Sequence, residues 1–189
     1  MDAVLIVSNT GSTLGIIADL LKSQPLSRIV AAQSGSEARR QLIDGDFDLI
    51  IIDAPLADEH GEDVALRAAE TTSAGIIVIT QVETLYDVSA AVEDSGVFVL
   101  PKPVSPEFFY QSVKLLCASR SRLLKLEAEN RRLYAKLEET RAVDRAKCAL
   151  VRHRGMTEPQ AHRYIEKQSM DARQSKTVTA ENILRVYEA

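Results

Sequence analysis

The chain is expected to fold as a doubly wound α/β domain with a five-stranded parallel sheet, then a long coiled-coil helix, then a small all-α bundle of three helices. Three observations predict this. Five short apolar runs alternate with amphipathic stretches up to residue 117. No Pro or Gly interrupts residues 107–154, where leucines recur at three-four spacing. Gly155 and Thr157 then supply a helix stop and a new helix start.

The predicted strands are Val4 to Val7, Ile29 to Ala32, Leu49 to Ile52, Ile76 to Ile79 and Val97 to Leu100. Their continuous apolar character suits strands covered on both faces. Helix-like stretches lie at 12–23, 36–44, 61–70 and 84–94, several opened by Ser or Thr and followed by Gly. A repeated βα pattern of this kind implies a parallel sheet with helices on both sides. Polar residues at the carboxyl ends of such strands gather at one edge, and here they are Ser8, Asn9, Asp53, Thr80 and Lys102. A carboxylate there can accept a phosphoryl group whose oxygens are held by a hydroxyl and an amine. Pro101 and Pro103 restrict the backbone on either side of the lysine.

Residues 1–117 resemble a response-regulator receiver domain, a flavodoxin-like fold. The resemblance rests on Asp53 closing FDLIIID, Gly61 eight residues on, Thr80, and Lys102-Pro103. It implies that Asp53 is the phosphoacceptor, that Thr80 and Lys102 are phosphate-contact or switch residues, and that a sensor kinase or other regulatory protein is a partner. It also implies Mg as cofactor at Asp53 if the domain is phosphorylated. The chain departs from the family at Ser8 and Asn9, where two acids are usual, and a hard ion such as magnesium is held less well by neutral side chains. Ala57 replaces the usual proline and Val99 the usual aromatic switch residue. Two readings of Asp53 therefore stand side by side: a residual phosphoacceptor, or a relic in a pseudo-receiver that acts by protein contact.

In the connector, Leu116, Leu123, Asn130 and Leu137 form one row seven apart, and Leu126 and Leu133 a second. This is the seam of a coiled coil, and residues 118–140 are the expected dimerisation segment. Unbroken, the helix would extend on the order of 70 Å. A single Asn130 in a leucine seam sacrifices stability to fix register and favours two parallel strands. Arg122 and Glu127 would attract across a parallel homodimer, while Lys136 and Arg141 would repel. An antiparallel hairpin or a single solvated helix is the alternative.

Charge divides the chain. Residues 1–117 carry 7 Lys+Arg against 17 Asp+Glu, and residues 118–189 carry 16 against 10, so the halves have net charges of −10 and +6. The first half should repel nucleic acid and the second attract it. Cys117 and Cys148 lack close pairing, no secretory leader is evident, and no apolar run reaches the roughly 18 residues of a membrane span. A reduced, cytoplasmic setting with no membrane fits.

Beyond Gly155, Thr157 with Gln160 makes a capping-box pattern with Pro159 in the first turn. Ala161, Tyr164, Ile165, Gln168 and Ala172 share one helix face, and a last helix from Val178 to Tyr187 would supply Ile183 and Val186. Val143, Ala146 and Leu150 complete the expected bundle. Residues 137–189 resemble the ANTAR family of transcription antitermination regulators, through Arg145-Ala146-Lys147-Cys148-Ala149-Leu150, Gly155-Met156-Thr157-Glu158, Ala161-His162, Ser169-Met170-Asp171 and Ile183-Leu184. Thr179 and Cys148 are departures.

This resemblance implies binding, as a dimer, to tandem hairpins in leader RNA that prevents terminator formation. It also places the family's characteristic lysine at Lys147. On a helical wheel Arg145, Arg152 and Ala149 fall opposite Val143 and Leu150, an open basic surface. His153, Arg154, Arg163, Arg173 and Lys176 extend it. The rival readings are a DNA-binding response regulator, although residues 158–188 show no clear turn and recognition-helix pair, and a protein-interaction module that sequesters a signalling partner. An enzyme is not expected, for want of a phosphate-cradling glycine loop or an assembled nucleophile-base set.

Overall fold

The computed structural model describes residues 2–22 and 27–187. Residue 23, the expected end of the first helix, and residues 188–189, at the end of the last domain, lie outside the described residues. The order is β1 (Ala3–Val7), α1 (Gly11–Leu21), β2 (Arg28–Ala32), α2 (Gly35–Asp44), β3 (Leu49–Asp53), α3 (Gly61–Thr71), β4 (Gly75–Thr80), α4 (Leu85–Val92), β5 (Phe98–Pro101), α5 (Pro106–Arg154), α6 (Glu158–Asp171) and α7 (Lys176–Tyr187). Two compact units divide the chain, residues 1–124 and 125–189.

In the first unit the five strands are parallel in the order β2-β1-β3-β4-β5. Because winding reverses between β1 and β3, the carboxyl ends of those two strands meet a crevice, the usual ligand position of such sheets. The central strands are buried on both faces, as their apolar runs predict. Leu5, Val7, Ile50, Ile52 and Val78 pack with Val64, Ala68, Val88 and Val92 on one side. Val4, Ile6, Ile51, Ile77 and Ile79 pack with Ile17, Leu21, Phe109 and Val113 on the other. Each such side chain contributes about 1.5–3 kcal/mol of burial, so the sheet carries the unit.

The edge strand β2 departs from expectation: Arg28, Ile29 and Ala31 are exposed. It pairs with β1 and, among the described residues, has no strand on its other side. Gly61, which opens α3, is required by close approach, since a Cβ there would stand 2.7 Å from the Ala54 Cβ. That contact seats α3 against the end of β3, beside Asp53.

The first turns of α5 belong to this unit. Arg120 pairs with Asp48 at 2.6 Å and its Nε donates to the Ser73 carbonyl at 3.1 Å. Leu116 abuts Gly75 and packs on the sheet core, which removes it from the seam row predicted for it. The rest of that seam is exposed: Leu123, Leu126, Asn130, Leu133 and Leu137.

In the second unit Ala146, Ala149 and Leu150 of α5 pack with Ala161 and Ile165 of α6 and Ala180 and Leu184 of α7. Two expectations change here. Ala149 is buried rather than part of an open surface, and Val186 is 71% exposed, its expected place taken by Leu184. Gly155 ends α5 with φ +64°, the left-handed conformation anticipated from its position. Gln160 Oε1 accepts from the Thr157 amide at 2.9 Å and caps α6. Thr179 is buried because its hydroxyl donates to the Ser175 carbonyl and accepts from the Gln174 amide, at 3.2 and 3.1 Å.

Candidate functional site

The sheet edge brings Asp53, Ser8 and Lys102 together. Asp53 is only 3% exposed, and Ser8 Oγ donates to its Oδ2 at 2.8 Å. Lys102 Nζ lies 2.6 Å from Oδ1 while donating to the Ala54 carbonyl at 2.7 Å. The ammonium thus lies directly against Oδ1 and compensates its charge. Thr80 shares the edge but not the cluster: its hydroxyl is engaged by that of Thr84 at 2.8 Å. Its carbonyl accepts from the Lys102 amide at 2.8 Å, which fixes the lysine's backbone beside β4.

The receiver fold implies a magnesium ion at this edge, and the residues present do not fit one. The Asp53 carboxylate is already neutralised by Lys102, and Ser8 and Asn9 beside it are neutral. Asn9 turns its amide nitrogen toward the Pro55 carbonyl at 3.4 Å, so it presents a donor rather than a charged oxygen at this edge. Among the described residues, no group of three His, Cys, Asp or Glu is placed to hold a metal. A hard ion prefers several charged oxygens.

A second polar cluster escaped the sequence reading. Asp58 accepts from the Gly35 and Ser36 amides at the start of α2, at 2.8 and 3.0 Å. These bonds, Ser36 first, hold its carboxyl down to about 2. Arg39 of α2 forms an ion pair with Glu59. Asp58 and Glu59 lie some twenty residues from their partners, and no local pattern announces them.

In the second unit the predicted basic residues separate into two groups. Arg145, Arg152, His153, Arg154, Arg163 and Arg173 are exposed. Lys147 and Lys176 are partly buried in ion pairs. Lys147 contacts Asp144 at 2.8 Å and Glu158 at 3.4 Å, and the bond to Asp144, with help from Glu158, raises its pKa against a desolvation that lowers it. It ties the end of α5 to the start of α6, beside a shallow cavity that Arg152 also borders. Lys176 lies 2.6 Å from Glu166. The Asp144 contact follows helical i,i+3 spacing and was legible; the Glu158 contact depends on how α6 folds back.

Aromatic residues surround the end of α5. The Arg154 guanidinium sits 5.5 Å from the Tyr164 ring centroid, and its Nη1 donates to the phenol at 3.4 Å. A hydrogen bond to the Tyr187 oxygen is the largest influence raising the Arg154 pKa, ahead of the Tyr164 contacts. His153 stacks on Tyr187 with centroids 5.3 Å apart. Also here, α6 and α7 are joined by a turn at residues 172–175. Arg173, at φ +52°, makes the turn that no glycine marked in advance.

Residues 4–114 match the response regulator receiver domain family and residues 131–184 match the ANTAR domain family. The chain is 29% identical over 168 residues to the transcriptional regulatory protein PdtaR of Mycobacterium tuberculosis, covering 89% of this chain and 82% of that one. A CheY-like receiver domain protein from Methanospirillum hungatei superposes with a TM-score of 0.59 at 19% identity, covering 65% of this chain and 98% of that one. The chemotaxis response regulator CheY4 of Vibrio cholerae does so at 0.53 and 23%, covering 61% and 98%. These structures share the fold of the first unit. No helix among the described residues is long and apolar enough to cross a membrane. The chain thus belongs to the response regulator receiver family and carries an ANTAR domain behind its receiver, the architecture of a response-regulator transcription regulator.

Proposed function

We propose that this chain is an RNA-binding transcription antitermination regulator that, as a dimer, binds tandem hairpins in leader RNA and keeps an overlapping terminator from forming. The observation that carries the reading is the exposed basic run Arg152, His153, Arg154 together with Arg145, within the ANTAR match and in the half of net charge +6. Such a surface binds phosphates by releasing counterions, and the aromatic residues beside it suit unpaired loop bases. Residues 1–117 would sense, 118–140 pair and 137–189 bind. Dimerisation uses the exposed Leu123, Leu126, Leu133 and Leu137 around Asn130, and linking two weak sites gives avidity when both reach.

Control comes through the receiver, by phosphorylation of Asp53 from a sensor kinase or by contact with another protein. The poor magnesium donor set favours contact. If magnesium and a small phosphodonor add a phosphoryl mass to the wild type but not to Asp53→Asn, contact alone is excluded.

The α6–α7 pair keeps duplex DNA in the comparison, but α7 offers a recognition surface weak in charge, with Glu181 exposed beside Arg185 and Lys176 engaged by Glu166. Selection of bound RNA from a transcript pool should recover paired hairpins. Affinity for these should fall with salt at about −0.7 to −0.9 in log–log slope per phosphate contact. Equal affinity for duplex DNA of the same length sinks the RNA reading. Sedimentation showing only monomer at micromolar concentration sinks the dimer.

A further inference from the structure

The ends of α5, α6 and α7 enclose an open cavity of about 280 Å³ bordered by Arg154, Tyr164, Gln168, Asn182, Val186 and Tyr187. Its walls differ in chemistry. One side is the Arg154 guanidinium, 5.5 Å from the Tyr164 ring centroid and donating to its phenol, with Tyr187 stacked on His153 also at this wall. Another presents the carboxamides of Gln168 and Asn182, which make no side-chain hydrogen bond among the described residues. Gln174 also lines the cavity, but its amide is engaged by Thr179. The exposed Val186 adds an apolar rim.

We propose that this cavity is a nucleobase pocket, which takes one base extruded from the loop of a bound RNA. The chemistry fits a base better than other occupants. A guanidinium held by a phenol offers a planar cation, and the tyrosines beside it aromatic faces, on which a base can stack. A carboxamide offers a donor and an acceptor together, the requirement of a Watson–Crick edge. The volume lies below the usual 300–1,000 Å³ of small-molecule sites and suits a single ring system. His153, exposed and next in the chain to Arg154, adds an imidazole beside the pocket through its stack on Tyr187.

The proposal rests on the RNA-binding reading, and its test separates the two. The probe is a hairpin recovered by the full-length wild-type protein from the transcript pool, remade with each loop nucleotide in turn abasic. Gln168 and Asn182 are exposed, so Gln168→Ala/Asn182→Ala should fold; circular dichroism confirms it. This double variant should bind the intact hairpin at least tenfold more weakly than wild type, and lose less than twofold on one particular abasic hairpin. Arg145→Ala should lose by the same factor on every hairpin. Arg154→Lys keeps the charge but not the planar guanidinium, and should show the same loop position as the carboxamide variant.

Losses that are equal on all abasic hairpins, or no loss at all, overturn the pocket while leaving RNA binding intact. Failure of the wild type to recover any RNA overturns both. Saturation by adenosine or guanosine monophosphate with no RNA recovered assigns the cavity to a free nucleotide and also overturns the proposal.

Discussion

Lys102→Met removes the cation from a carboxylate that is almost wholly out of water. Asp53 is 3% exposed, and after the substitution its one remaining polar contact from a side chain is the Ser8 hydroxyl at 2.8 Å. Breaking a buried ion pair by removing one partner typically costs about 3–5 kcal/mol, because the other charge stays behind uncompensated. The Lys102 side chain is 26% exposed and Ser8 still donates, so the lower end applies and the expected loss is about 3 kcal/mol. Asp53→Asn should cost less, since a neutral amide needs no counter-charge. The double variant should then be more stable than Lys102→Met alone, with a coupling of about 2 kcal/mol, within the range for contacting residues. Urea denaturation of the full chain, read by amide exchange in β1, β3 and β4, measures this in the receiver unit. A Lys102→Met loss under about 0.5 kcal/mol, close to that of an ordinary surface substitution, or strict additivity in the cycle, would refute the claim that Lys102 chiefly neutralises Asp53.

Three further outcomes follow from the same structure. Ser8→Asp places a second carboxylate at the crevice and should lower the melting temperature without metal; millimolar magnesium should restore it, by about 2.7 kcal/mol at a hundredfold excess over Kd, while leaving the wild type almost unmoved. Gly155→Ala forces a side chain into the left-handed region and should cost about 1–2 kcal/mol in the second unit, whereas Arg173→Gly should gain about 1 kcal/mol by relieving the same restriction; protection of α6 and α7 amides reports both. Asp58 has a folded pKa depressed to about 2 from an ordinary 3.8, so its contribution is fully present above pH 3.8 and is lost as pH falls through 2. Asp58→Asn should therefore flatten the acid limb of the stability curve between those values, and a carboxyl titration by nuclear magnetic resonance that places Asp58 near 3.8 contradicts the amide bonds.

Residues with local signatures were legible. The apolar runs that became β1, β3 and β4, the Gly155 stop and the Gln160 cap each depend on a few neighbouring positions, and each is where the periodicity put it. The shared edge of Ser8, Asp53 and Lys102 followed from strand order, since parallel βα units place all strand ends together. What the edge does with those groups did not follow. Thr80 turns to Thr84, and Asn9 turns its nitrogen to Pro55, because side-chain torsions respond to neighbours that only the folded loops supply.

Element order, the parallel sheet, the unbroken α5 and the division of charge between the halves were determined by sequence alone, because each arises from periodicity, turn residues or composition summed along the chain. Tertiary structure decided which of those residues are available. It buried Ala149 and set Leu116 against Gly75, left β2 half open for want of a second neighbour, and engaged Lys147 with Glu158. It also assembled Arg154, Tyr164, Gln168, Asn182 and Tyr187 around one cavity. These outcomes depend on contacts between residues far apart in the chain, whose geometry is set by packing and carries no local signature.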